Sequence, residues 1–178
     1  MFVMRVAKTR IQEHVGIGNR CADGNYVLFI DYDGNTPHEW IKQEIRLLQK
    51  IFLLTTAYVF KTKNGHHVVF LEKMPIDDIV KCLRMTTCDK DHLEVPLYYA
   101  RKEWVLRQTN KKDETITYQG PLHPKNDAGV PYEYSNAHAL FLSKIGGVPN
   151  NDFHREQKLF DEETTITLAQ YHVRKQNN

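Results

Sequence analysis

Val27-Leu28-Phe29-Ile30-Asp31-Tyr32-Asp33 is an apolar run ending in two carboxylates spaced by one residue. Such a run predicts a buried β-strand. On a strand, residues two apart point to the same side of the sheet, about 6.6 Å apart along the backbone. Asp31 and Asp33 therefore project together, while Ile30 and Tyr32 face the other way. Two aligned carboxylates at a strand end are costly unless water, a cation or a metal neutralises them. The same residues run into Asp33-Gly34-Asn35, which is ordinary turn chemistry, so a turn and a metal site both stay open at this point.

Downstream, Thr36 fits a helix N-cap, with Pro37 at the first helical position and Glu39 in the first turn. A helix to about Lys50 places Trp40, Ile41, Ile45, Leu48 and Ile51 on one stripe suited to packing on a sheet. Residues 54–62 are rich in β-branched and aromatic side chains, and His66 to Leu71 form a second such run. Lys63-Asn64-Gly65 lies between them, and Asn-Gly in that place signals a hairpin. Ile76 to about Met85 reads as a helix with Ile79, Val80 and Leu83 inward. Asp89 to Arg101 reads as a third helical segment interrupted at Pro96, and Trp104 to Thr109 as a strand.

That order is β-α-β-β-α-β, an α+β fold of the split βαβ or ferredoxin-like kind. Right-handed crossovers put the second hairpin strand between the first strand and the other hairpin strand. The 27–33 strand is then flanked by the His67 strand and the Arg107 strand, both antiparallel to it. Asp31, Asp33, His67 and Arg107 are expected to converge at one sheet end, on the face away from the helices. His66 points to the opposite face and falls outside this set.

The rest of the chain reads less sharply. Residues 2–6 suggest a short strand, followed by a polar segment with Arg10, Glu13 and His14, and Gly16, Gly18 and Gly24 make the approach loop-like. After residue 113 come a strand at 115–118, a loop at 121–131, a short helix at Ser135–Ile145 and an edge strand at 164–171. We expect one domain over residues 1–178, with a core at about 25–112, an N-terminal segment 1–24 and a small C-terminal α/β extension 113–178.

Composition narrows the class. The chain has 178 residues, 26% charged and 41% hydrophobic, as ordinary soluble globular proteins do. A formal charge of +2 does not announce nucleic acid, so any basic surface must be local. Arg101, Lys102, Lys111 and Lys112 form the densest basic cluster. Cys21, Cys82 and Cys88 are odd in number and lack a CxxC pair, which points to reduced thiols in a cytoplasmic compartment and to no zinc site. No apolar run is long enough for a signal peptide or a membrane span.

The polar set suits phosphate chemistry. A histidine beside two carboxylates serves as a charge-assisted phosphate donor, and Lys61, Thr62, Lys63 and Asn64 add further donors. Arg107 in an apolar strand is either a salt bridge to Asp31 or Asp33, or a planar clamp on phosphate. Two divalent ions about 4 Å apart would activate an attacking hydroxyl and stabilise leaving pyrophosphate. They require a third carboxylate, for which Asp89 and Asp91 are the candidates.

In this combination the chain resembles the archaeo-eukaryotic primase superfamily, the primase-polymerases. The apolar strand ending Asp31-Tyr32-Asp33 matches that family's Asp-x-Asp motif. Gly65-His66-His67 leading into Val68-Val69 matches its small-x-His motif, with Thr62 where many members have serine. Cys88-Asp89 matches the third, hydrophobic-Asp motif better than Lys90-Asp91 does. Leu106-Arg107 resembles the strand arginine of small archaeal and plasmid members. The resemblance spans about residues 25–110. It implies an RRM-like catalytic core and template-directed nucleotidyl transfer from nucleoside triphosphates on single-stranded DNA.

It further implies Mg²⁺ or Mn²⁺ on Asp31, Asp33 and Asp89 (alternatively Asp91), and triphosphate on His67, Arg107, Lys63 and Thr62. Template is then expected along the basic cluster. The alternatives are a catalytically weak or accessory primase-like subunit that needs a second replication subunit, and an RRM-like nucleic-acid binding module. The module needs exposed aromatics on the central strands, of which Phe29 alone faces the right way. Rolling-circle initiators need His-hydrophobic-His, which Gly65-His66-His67-Val68 does not supply.

Overall fold

The computed structural model describes residues 10–34, 36–98, 103–107, 116–125, 132–153 and 169–175. Among them the order is β1 (Arg10–Gly18), β2 (Phe29–Tyr32), α1 (His38–Phe52), β3 (Ala57–Lys61), β4 (His66–Val69), α2 (Ile76–Arg84), α3 (Lys90–Tyr98), β5 (Val105–Arg107), β6 (Thr117–Leu122), α4 (Asn136–Lys144) and β7 (Ala169–Lys175). The fold is α+β with two antiparallel sheets, ordered β2-β4-β3-β6 and β5-β1-β7. None of the helices among the described residues is long and apolar enough to cross a membrane.

β4 lies between β2 and β3, as the split βαβ reading requires. Its ladder with β2 sets Asp31 opposite His67 and Tyr32 opposite His66. The runs at 27–30 and 57–60 are continuously apolar because both faces of this sheet are covered. On one face Leu28, Ile30, Tyr32, Val59 and Val68 pack with Ile41, Ile45 and Leu48 of α1 and Ile79 and Leu83 of α2. On the other, Phe29, Tyr58, Phe60 and Val69 pack with Ile17, Leu106, Phe141 and Leu142. Each such side chain contributes about 1.5–3 kcal/mol on full burial.

The strand carrying Arg107 does not flank β2. β5 pairs with β1 instead, Arg107 opposite Gly16. The physical reason lies at the edge of β2 (Phe29 and Asp31 turn their carbonyls away from β4). The Phe29 carbonyl accepts from His92 Nε2–H at 3.0 Å, and the Asp31 carbonyl from the Asp89 N–H at 2.7 Å. Just upstream, buried Asn19 exchanges two hydrogen bonds with Val27 and two with Trp104, so the end of β1 is wedged between the approaches to β2 and β5. The polar approach segment is thus a strand. Gly16 and Gly18 lie within that strand, paired with Arg107 and Val105 of β5.

Other expectations shift in smaller ways. Pro37, not Thr36, is the N-cap of α1, and no side chain caps that helix. The inward stripe of α1 is Ile41, Ile45, Leu48 and Gln49, while Trp40 and Ile51 are half exposed. On α2, Cys82 takes the buried place expected for Val80. Pro96 sits inside α3. The C-terminal part is not a separate appendage: β6 extends the main sheet beside β3, α4 covers its second face, and β7 pairs with β1. The strand expected at 2–6, the start of the edge strand at 164–168, and most of the 121–131 loop lie outside the described residues.

Candidate functional site

The end of β2 is where the motif residues meet. Asp31, opposite His67 in the β2–β4 ladder, has Oδ1 3.5 Å from His67 Nε2. The His67 side chain is 7% exposed and that of Asp31 28%, so the carboxylate is the partner that reaches solvent. Both belong to the face of Phe29, opposite α1 and α2, because residues paired across a ladder project to the same side. Asp33 lies exposed just beyond the strand.

Asp89 arrives from α2's far side through the main-chain bond to Asp31. Its own carboxylate caps α3, Oδ1 accepting the His92 N–H at 2.8 Å. Asp91 lies exposed in the first turn of α3. His92 is the residue that sequence reasoning missed. Its Nε2 faces a carbonyl and so carries the proton, and its own carbonyl accepts the Trp104 indole N–H at 2.9 Å. Burial pushes the His92 pKa down, against the opposing pull of the Phe29 carbonyl and of the Asp89 and Asp33 charges. Asp33 and Asp89 are therefore both within electrostatic reach of this ring. A histidine three residues after an N-capping Asp was the available signal.

The β3–β4 turn closes beside this end. Thr62 N–H donates to the Gly65 carbonyl at 3.0 Å, and Gly65 N–H to Thr62 Oγ1 at 2.9 Å. Lys63 is exposed at its tip. Gly65 matters for a reason other than the turn: a Cβ there would run into the Tyr32 carbonyl, so only glycine lets β4 start against the end of β2. Tyr32 in turn donates its hydroxyl to Glu44 of α1 at 3.1 Å; burial first, then the Glu44 charge, raises its pKa.

The chain matches no protein-family model, no curated protein and no solved structure.

Of the residues expected at the site, the structure brings together Asp31, His67 and Asp89, with Asp33, Thr62 and Lys63 around them. Arg107 is on the other sheet, and Arg101, Lys102, Lys111 and Lys112 lie outside the described residues. Carboxylate oxygens suit a hard divalent cation. Among the described residues, however, no three His, Cys, Asp or Glu side chains form a group that could hold a metal ion. Asp89 has already committed one oxygen to α3. The donors thus fit Mg²⁺ or Mn²⁺ in kind, an ion that one or two carboxylates hold together with water and substrate phosphate.

Proposed function

We propose that this chain is a primase-polymerase-like core with an RRM-like βαββα arrangement, a metal-dependent nucleotidyl transferase acting with nucleoside triphosphates on a single-stranded DNA template. One observation carries the reading. Three residues from separated segments meet at one strand end: Asp31 and His67 at 3.5 Å, and Asp89 bonded to the Asp31 carbonyl at 2.7 Å.

Asp31 and Asp33 are the residues that hold Mg²⁺ or Mn²⁺, which supplies charge stabilisation for the attacking and leaving oxygens. His67, nearly buried, sets the position of the Asp31 carboxylate and meets phosphate from the strand side. Thr62 accepts the Gly65 N–H and keeps its own hydroxyl proton to donate, and exposed Lys63 adds a positive charge. Asp89 and His92 fix the edge of β2 and with it the direction of Asp31. The basic cluster Arg101, Lys102, Lys111 and Lys112 is proposed to meet template.

A catalytically weak or accessory subunit is the second reading, favoured by the missing three-donor group among the described residues. Base stacking on Phe29 is disfavoured, because Phe29 is 1% exposed and meets the His138 ring edge-on at 5.8 Å.

Purified protein with Mn²⁺, single-stranded template and labelled nucleotides should make or extend primers. Asp31→Ala should abolish synthesis and the calorimetric heat of Mn²⁺ binding while leaving template binding nearly intact, since it removes no basic group. Synthesis that persists in Asp31→Ala sinks the mechanism. Mn²⁺ binding with synthesis only on addition of a partner chain assigns the accessory reading.

A further inference from the structure

Behind the Asp31–His67 pair, on the face that α1 covers, the same strand end gathers two imidazoles and a lysine. His66 stands opposite Tyr32 on β2 and Lys61 on β3, so it projects to the Tyr32 side and away from Asp31. Its ring centre is 5.4 Å from that of His38, the first residue of α1. His66 is 8% exposed, and its Nδ1 is buried with no hydrogen-bond partner. The charged groups that act on this ring are Lys61 and His38. A buried polar atom without a partner is uncommon enough to need a cause.

The helix above supplies one. α1 is 15 residues long and begins at Pro37, which has no capping group. The Trp40 N–H turns back to the Pro37 carbonyl at 2.9 Å, while the His38 and Glu39 amides precede the first intrahelical acceptor. Glu39, the carboxylate of this turn, is engaged by Lys42 at 2.7 Å. The start of α1, two imidazoles and the lysine paired with His66 thus share this corner, a donor set matched to a tetrahedral anion.

We propose that this corner binds a phosphate group, free or at the end of a phosphomonoester, between the first turn of α1, His38, His66 and Lys61. His38 is exposed and its ring sits beside that of His66. The site uses none of the residues assigned to the metal, and stands whether or not the chain transfers nucleotides.

The test is an NMR titration of the histidine rings with inorganic phosphate and, separately, adenosine 5′-monophosphate, at an ionic strength held constant with chloride. The His38 and His66 resonances should shift saturably, with Kd on the order of 1 mM or below. His38→Gln and Lys61→Gln change exposed residues and should keep the fold, each weakening binding roughly tenfold. Equal affinity for the two probes assigns free phosphate as the ligand, and tighter binding of the nucleotide assigns a phosphomonoester. Absence of a saturable shift at His38 and His66 with both probes, or unchanged affinity in both variants, overturns the site.

Discussion

His66 is held neutral by the fold. Burial first, then the Lys61 and His38 charges, lower its pKa from 6.5 to about 4. The unfolded chain therefore takes up this proton first as the pH falls. Stability that is full above pH 6.5 is lost between pH 6.5 and about 4, and the loss levels off below that window. After allowance for solvent screening, the loss amounts to about 1–2 kcal/mol. Urea unfolding in chloride buffer at several pH values should show it, and His66→Phe should flatten that part of the profile. An identical profile in the variant would assign the slope to other groups. Gly65, one residue earlier, shows how a motif can be read correctly for an incomplete reason. Asn64-Gly65 does mark the hairpin, yet Gly65 is not among the glycines with positive φ. The demand for glycine comes from the Tyr32 carbonyl, a residue 33 positions away, which turn chemistry does not record.

At the level of elements, the start of α3 acts as a guard on the open edge of β2. A strand edge offers unpaired carbonyls that would otherwise recruit another strand. Here Asp89 and His92 occupy two of them, and Asp89 simultaneously caps the helix that carries His92. His92→Phe preserves a planar side chain but strands the Phe29 carbonyl in a buried setting, which should cost about 1–3 kcal/mol in the urea midpoint. His92→Gln restores a donor and should recover part of that loss. A cost below about 0.5 kcal/mol for His92→Phe would mean that the carbonyl has found another donor. Gln49 does a comparable service inside α1. It donates to the Thr55 carbonyl at 2.5 Å and the Leu122 carbonyl at 2.8 Å, fastening the approach to β3 and the end of β6. Helical periodicity located Ile41, Ile45 and Leu48, but its stripe left out Gln49 and took in Trp40 and Ile51. Trp40 and Ile51, at the two ends of that stripe, remain about half exposed.

For the molecule as a whole, the second sheet joins distant parts of the chain: β1 pairs with β7 from Arg10↔Lys175 to Gly16↔Ala169 and with β5 on its other side. Truncation after residue 168 removes β7 and leaves that ladder of β1 open. The shortened protein should melt at lower temperature and elute as larger species on size exclusion, because an open edge recruits another chain. A monomer with an unchanged melting temperature would show that β7 is dispensable. The sequence by itself determined the succession β2-α1-β3-β4-α2, the place of β4 between β2 and β3, and hence the meeting of Asp31 with His67. Strand and helix periods are local, and the handedness of the crossover leaves one slot for β4. Only the tertiary structure decided what lies beside β2. That choice is a competition for the Phe29 and Asp31 carbonyls between Asp89 and His92 on one side and the Arg107 strand on the other, and the outcome depends on which donors the packed chain delivers there. No pattern of neighbouring residues encodes it, so Arg107 went to the other sheet and His92 took its edge.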